Sequence, residues 1–131
     1  MMKINDLIEN ADEVFTGKCA TLDQIKKAET ELGLGFAKDY VDYLSRYGSI
    51  MINGHELTGI SKAEQDNVVK VTKNEKGYYD FIPATAYVVE DTQTDGIVIW
   101  QDASGALYKS TPDGDFTKFA DSLVDYLKKF V

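Results

Sequence analysis

Three two-residue turn signals constrain this chain more than any other feature. Asn53-Gly54, Asp95-Gly96 and Ser104-Gly105 each lie between short apolar runs. Asn-Gly and Asp-Gly accept the left-handed backbone that a tight hairpin requires, so pairs of this kind join neighbouring antiparallel strands. The flanking runs, 50–52 with 56–60 and then 86–89, 97–100 and 106–110, are the strands. The first third follows a helical period instead. Asn5 can cap a helix with Leu7, Ile8, Ala11, Val14 and Phe15 on one face and Gly17 as its end. Thr21 and Gln24 form a capping box for a second helix, whose stripe is Leu22, Ile25, Ala28 and Leu32 and whose stop is Gly33. Residues 37–47 form a third, with Tyr40, Val41, Leu44 and Tyr47 on one side and Gly48 closing it. At the C-terminus, Phe116, Phe119, Ala120, Leu123, Leu127 and Phe130 share a helical face, with Lys128 and Lys129 at the negative end of the dipole. Helices first, strands next and a helix last make an α+β class: an antiparallel sheet of mixed strand lengths, flanked by N-terminal helices and a C-terminal helix. The valines of 68–71 favour a strand, whereas the Lys73-Asn74-Glu75-Lys76 run favours an exposed helix, and the pattern leaves both open.

At 131 residues, 44% of them hydrophobic, the chain has the size and the apolar content of one domain spanning 1–131. Its net charge of −8 and its single arginine, Arg46, argue against nucleic acid, whose phosphates need clustered bases. One cysteine, Cys19, makes no internal disulfide, and one histidine, His55, is too few for a Cys/His zinc site, so neither a metal nor another cofactor is expected. The opening MMKINDLIENADEVF puts charge into every turn and lacks the apolar core of a signal peptide. No apolar run approaches the length of a membrane span. These features predict a cytoplasmic protein with no membrane partner.

Several stretches stand in a characteristic order: IKKAETELG at 25–33, FAKDYVDYLSRYG at 36–48 and GHELTG at 54–59. Val68-Val69 with Thr72, Pro83 before AYVVED, Gln101-Asp102, Gly105 and the terminal DSLVDYL follow. Their order resembles the SUKH superfamily, which groups a yeast cell-wall regulator with bacterial immunity proteins, and the likeness covers about 22–127. The family usually places a proline where Ala37 stands, a helix-start signal that is missing here. The resemblance implies a SUKH-like domain with a helix near 66–76. It also implies a non-enzymatic role: bacterial members neutralise toxin domains, often nucleases, and eukaryotic members act as scaffolds in cell-wall signalling. It supplies no catalytic residue set.

Side chains capable of chemistry are isolated. His55 is weighed as an acid/base group but reads better as a hydrogen-bonded hairpin residue, and Cys19 as an inert thiol buried between two helices, with a Cys19–His55 pair the less favoured reading. The stretch from Asp91 to Asp102 echoes a calcium loop. However, Gln93 replaces an acid, Asp102 is too short for the usual bidentate glutamate, and the flanks read as strands. The helical row of Tyr40, Tyr43 and Tyr47 reads as core packed on the second helix. Tyr78-Tyr79 is expected to expose at least one ring. Acidity is the more informative signal. Between Asp80 and Asp115 there are seven acids and one base, Lys109, which puts −6 of the −8 in that stretch. Turns of an antiparallel meander can gather such acids at one edge, and a one-signed surface accelerates capture of an oppositely charged partner. Glu56, Glu90, Asp91, Asp95 and Asp102 are therefore the expected partner-binding residues. The expected partner is a basic toxin domain; the alternative function is an intracellular scaffold or regulatory adaptor of the same fold.

Overall fold

The computed structural model describes residues 3–131; the two methionines that open the expected 1–131 domain lie outside the described residues. Helix α1 (Ile4–Asn10) is shorter than its apolar spacing predicts. The Asp6 carboxylate accepts the Lys3 backbone N–H at 3.0 Å at its start, and the Asn10 side chain donates to the Asp6 carbonyl at 2.7 Å at its end. Val14 and Phe15, expected on this helix, form strand β1 (Val14–Thr16) instead. The cause is tertiary. The hairpin of β2 (Ile50–Ile52) and β3 (His55–Leu57) offers a free edge, and β1 pairs with β2 in the register Val14↔Ile52, Phe15↔Met51. Asn53 at the hairpin tip holds the incoming chain, accepting from the Glu13 N–H at 3.1 Å and donating its own N–H to the Glu13 carbonyl at 2.8 Å. Asn53 and Gly54 both have positive φ, 48° and 83°, as the turn requires.

Helices α2 (Leu22–Leu32) and α3 (Lys38–Tyr47) follow their sequence signals. Thr21 and Gln24 exchange the two bonds of the capping box, at 3.1 and 2.9 Å, and Gly33 closes α2 in the left-handed region. Ile25 and Ala28 are buried, whereas Leu22, in the first turn, is 66% exposed. The 68–71 ambiguity resolves to helix. The Asn67 side chain accepts from the N–H groups of Val69 and Lys70 and starts α4 (Val68–Tyr78), just after a single 3-10 turn (Glu64–Asp66).

The second sheet is an antiparallel meander of β4 (Tyr87–Asp91), β5 (Val98–Gln101), β6 (Leu107–Ser110) and β7 (Phe116–Ala120), closed by the short α5 (Leu123–Leu127). The expected C-terminal helix is therefore half strand. Phe116 stacks on Tyr108 of β6 at 5.0 Å, and helix begins only where Ser122 accepts from the Asp125 N–H. One face of this sheet presents Tyr87, Val89, Ile99 and Leu107 to the main core, shared with α1, α2, α3 and α5; the other packs Val88, Val98 and Trp100 against Val71 of α4. The fold is α+β with two antiparallel sheets.

The sheets and α3 are tied together at Thr58. Its backbone N–H donates to the Val89 carbonyl at 2.8 Å and its hydroxyl to the Val88 carbonyl at 2.7 Å. Tyr43 donates to the Thr58 carbonyl at 2.6 Å, and Tyr40 lies 2.8 Å from the Thr58 hydroxyl oxygen. Because the one proton of that hydroxyl goes to Val88, Tyr40 is the donor. Thr58→Val should leave the Tyr40 hydroxyl and the Val88 carbonyl without partners. The expected cost is about 2–4 kcal/mol, read as a Tm lowered by roughly 10 °C in thermal denaturation. Adding Tyr40→Phe should recover part of that loss, and two strictly additive losses would show that the hydroxyl pair is not the coupling element.

Candidate functional site

Strict alternation along β4 would put Glu90 on the same side as Val88, facing α4. A β-bulge between Val88 and Glu90 inserts Val89, so that Val88 opposes Trp100 but Glu90 opposes Ile99. The extra residue turns Glu90 inward and Asp91 outward. Glu90 is 4% exposed, and it was expected on a partner-facing surface; the bulge removes it from that surface. Inside, its carboxylate lies 3.0 and 3.2 Å from His55 Nδ1 and accepts from the Tyr126 hydroxyl. Burial and the Glu90 charge both push the Tyr126 phenol well above its ordinary value, so it remains a neutral donor. His55 is thus a hydrogen-bonded hairpin residue, its ring stacked on Phe130 at 3.7 Å.

Asp91 emerges into a cleft of about 460 Å³, where Glu64 and Glu75 are the other acids and Lys70 the one base. Partial burial, with the Asp91 charge adding to it, raises the Glu75 carboxyl above its ordinary value. Glu56 stands on the outer face of the three-stranded sheet, opposite Met51, which in turn opposes Phe15, itself 59% exposed. A hollow of about 190 Å³ there also holds Asp66, whose carboxyl is raised by burial and by Glu56. The 3-10 turn joins the two hollows, Glu64 lining one and Asp66 the other. Asp95 is exposed at the β4–β5 turn, in the left-handed region at φ 55°.

Asp102 lies apart from these acids. Successive turns of a meander alternate between its two ends, so the β5–β6 turn carrying Asp102 is a strand length from Asp91 and Asp95. Its carboxylate is engaged there by the Ser104 N–H at 3.0 Å and by the Ser104 hydroxyl. The residues missed in sequence are Glu64, Asp66 and Glu75, which precede the acidic stretch. Their one signal was the helix near 66–76, which sets Val71 and Glu75 on one face.

Cys19 is exposed rather than buried, because it sits in the loop that crosses the end of α3, where its thiol donates to the Arg46 carbonyl at 2.9 Å. Tyr40 and Tyr43 are core, in one cluster with Ile25 and Ala28 of α2, and they also reach across to Thr58, with Tyr40 meeting Tyr87, while Tyr47 donates to Asn5 at 2.8 Å. Tyr78 is 73% exposed. The 91–102 segment is a β-hairpin in which Asp91 accepts the Gln93 N–H at 3.1 Å. No group of three or more His, Cys, Asp or Glu suited to a metal occurs among the described residues.

A family model described as SMI1-KNR4 cell-wall, SUKH_5, matches residues 3–131, nearly the whole chain. No curated protein matches the chain. Among the described residues no helix is long and apolar enough to cross a membrane.

The raised Glu75 carboxyl has a defined sign. The folded chain holds that proton more tightly than the unfolded one, so its contribution to stability is complete below the ordinary value of 4.5 and is lost as pH rises through the folded value. Glu75→Gln should therefore raise Tm at pH 7, and the gain should disappear below pH 4.5. An equal gain at both pH values would show that charge is not its source.

Proposed function

The chain belongs to the SMI1-KNR4 (SUKH) family, and on that footing we propose that it is a protein-binding module, an immunity protein that captures and neutralises a basic toxin domain on its acidic edge. The observation that carries this reading is the crowding of carboxylates at the two joined hollows, where Asp91 bears on Glu75 and Glu56 on Asp66. Like charges held together are relieved by a cationic partner, and their field steers such a partner in. The row of exposed Phe15 and half-buried Met51 beside Glu56 and Asp66 adds the apolar contact that interface cores use, with the carboxylates as rim. A nuclease is a fitting toxin, since an active site that attracts phosphates is itself basic.

A non-enzymatic role agrees with the family and with the side chains. His55 Nδ1 and the Tyr126 hydroxyl are both engaged by Glu90, and the Cys19 thiol by the Arg46 carbonyl, so Cys19 and His55 are bonded to other groups and not to each other. Co-expression with a toxin domain encoded beside the gene, scored by survival and co-purification, tests the reading. Failure to rescue would favour the regulatory adaptor of the same fold.

With a partner in hand, Asp91→Lys with Glu75→Lys should slow association about tenfold or more at low ionic strength, with the difference shrinking in high salt. Asp102→Asn, at the other end of the meander, should leave the rate unchanged. Stopped-flow association measured across a salt series reads both, and an unchanged rate for the double reversal would sink the acidic-edge reading.

A further inference from the structure

The β4–β5 hairpin has a second side. Asp91 and Gln93 line the acidic cleft, whereas the alternating Thr92 and Thr94 line another, about 440 Å³ in volume, between this hairpin, β6, β7 and the C-terminal segment. Its size falls within the range of small-molecule sites. From this geometry we propose that it binds an organic anion, a carboxylate carried on an apolar body.

Charge is the first argument. The chain has 22 acids, yet none lines this cleft, while Lys109 and Lys129 do; the Glu90 carboxylate behind it is buried and engaged by His55 and Tyr126. Lys109, the one base of the 80–115 stretch, lines this cleft. Both lysine ammonium groups approach the Phe119 ring, at 5.8 and 4.8 Å from its centre, and neither forms an ion pair among the described residues. Two cations over one apolar ring, without a carboxylate, present an unneutralised site for an anion.

The floor is the second argument. Ile97, Ile99, Phe119 and Phe130 are apolar, so a bare inorganic ion would leave most of the surface unused. His55 serves as a wall and not as a donor: Glu90 accepts from Nδ1 and the ring is fixed against Phe130, which leaves Nε2 an acceptor with no hydrogen for an anion. The Thr92 and Thr94 hydroxyls spend their protons on the carbonyls of Ile97 and Thr92, which leaves the lysines as the anion's donors. The site is independent of the acidic edge and of any toxin.

The test is a titration of the full-length, isotope-labelled chain, followed by amide NMR, with sodium octanoate, 1-octanol and a short acetylated peptide ending in Leu. Octanoate should shift the amides of Ile97, Ile99, Lys109, Phe119 and Lys129 saturably, and octanol should bind at least about tenfold more weakly. The K109Q/K129Q variant, altered at one half-buried and one exposed position, should stay folded, as its thermal denaturation will show, and lose about tenfold in octanoate affinity. Tighter, lysine-dependent binding of the peptide would support the site and assign the carboxylate to a polypeptide end rather than a free molecule. Equal binding of octanol and octanoate, undiminished binding by the variant, or no saturable shift with any of the three would overturn the proposal.

Discussion

Four hydrogen bonds meet at Thr58, and the arrangement of both sheets depends on them. Its N–H and hydroxyl dock the three-stranded sheet onto β4, while its carbonyl and hydroxyl oxygen receive the two buried tyrosines of α3. Burial pushes both phenols well above their ordinary range, so they stay protonated and donate throughout. The chain beside this junction must also come close to itself. A Cβ on Gly59 would meet the Gly48 carbonyl oxygen at 1.9 Å, and the Ile60 N–H donates to that same oxygen at 2.9 Å. A side chain there would part α3 from the end of β3, and Thr58 would lose its partners.

The same docking determines where charge can go. Because β3 lies against β4, His55 reaches Glu90, and the bulge at Val89 turns Glu90 toward it. One inserted residue reverses the sides of Glu90 and Asp91. The first becomes an interior acceptor that holds the hairpin to Tyr126 and the C-terminal segment, and the second joins Glu75 on the outside. Beyond the bulge, alternation along the hairpin keeps acids on one side and leaves the other to the lysines. A strongly acidic chain thereby carries two local surfaces of opposite character.

A second buried network ties the meander to the helices in the same way. Gln101 donates to Asp39 at 2.9 Å and to the Gly105 carbonyl at 3.0 Å, and accepts from Tyr87 at 2.7 Å, so every hydrogen its side chain can donate is used. Asp39 in turn accepts the Leu123 N–H at 2.8 Å at the start of α5. Polar side chains in this core thus connect elements distant in sequence, here α3 and the start of α5 to the meander.

Local signals decided the local structure. The capping box at Thr21 and Gln24, the stop at Gly33, helix α3 and the Asn53-Gly54 hairpin are short-range preferences, and the acidic excess of 80–115 is a property of composition. Where apolar spacing suited two structures, at Val14-Phe15 and at Phe116–Ala120, pairing with a neighbouring strand decided for β, since a free sheet edge offers hydrogen bonds that a short helix end cannot match. The site was legible as a sign of charge and not as a place. Glu90 is buried by a one-residue bulge, Asp102 is carried to the far end by the alternation of turns, and Glu64, Asp66 and Glu75 are brought in from outside the acidic stretch, the first two by the 3-10 turn and the last by α4. Which carboxylates share a cleft is a matter of register and docking between segments remote in sequence, and spacing along the chain holds no record of either.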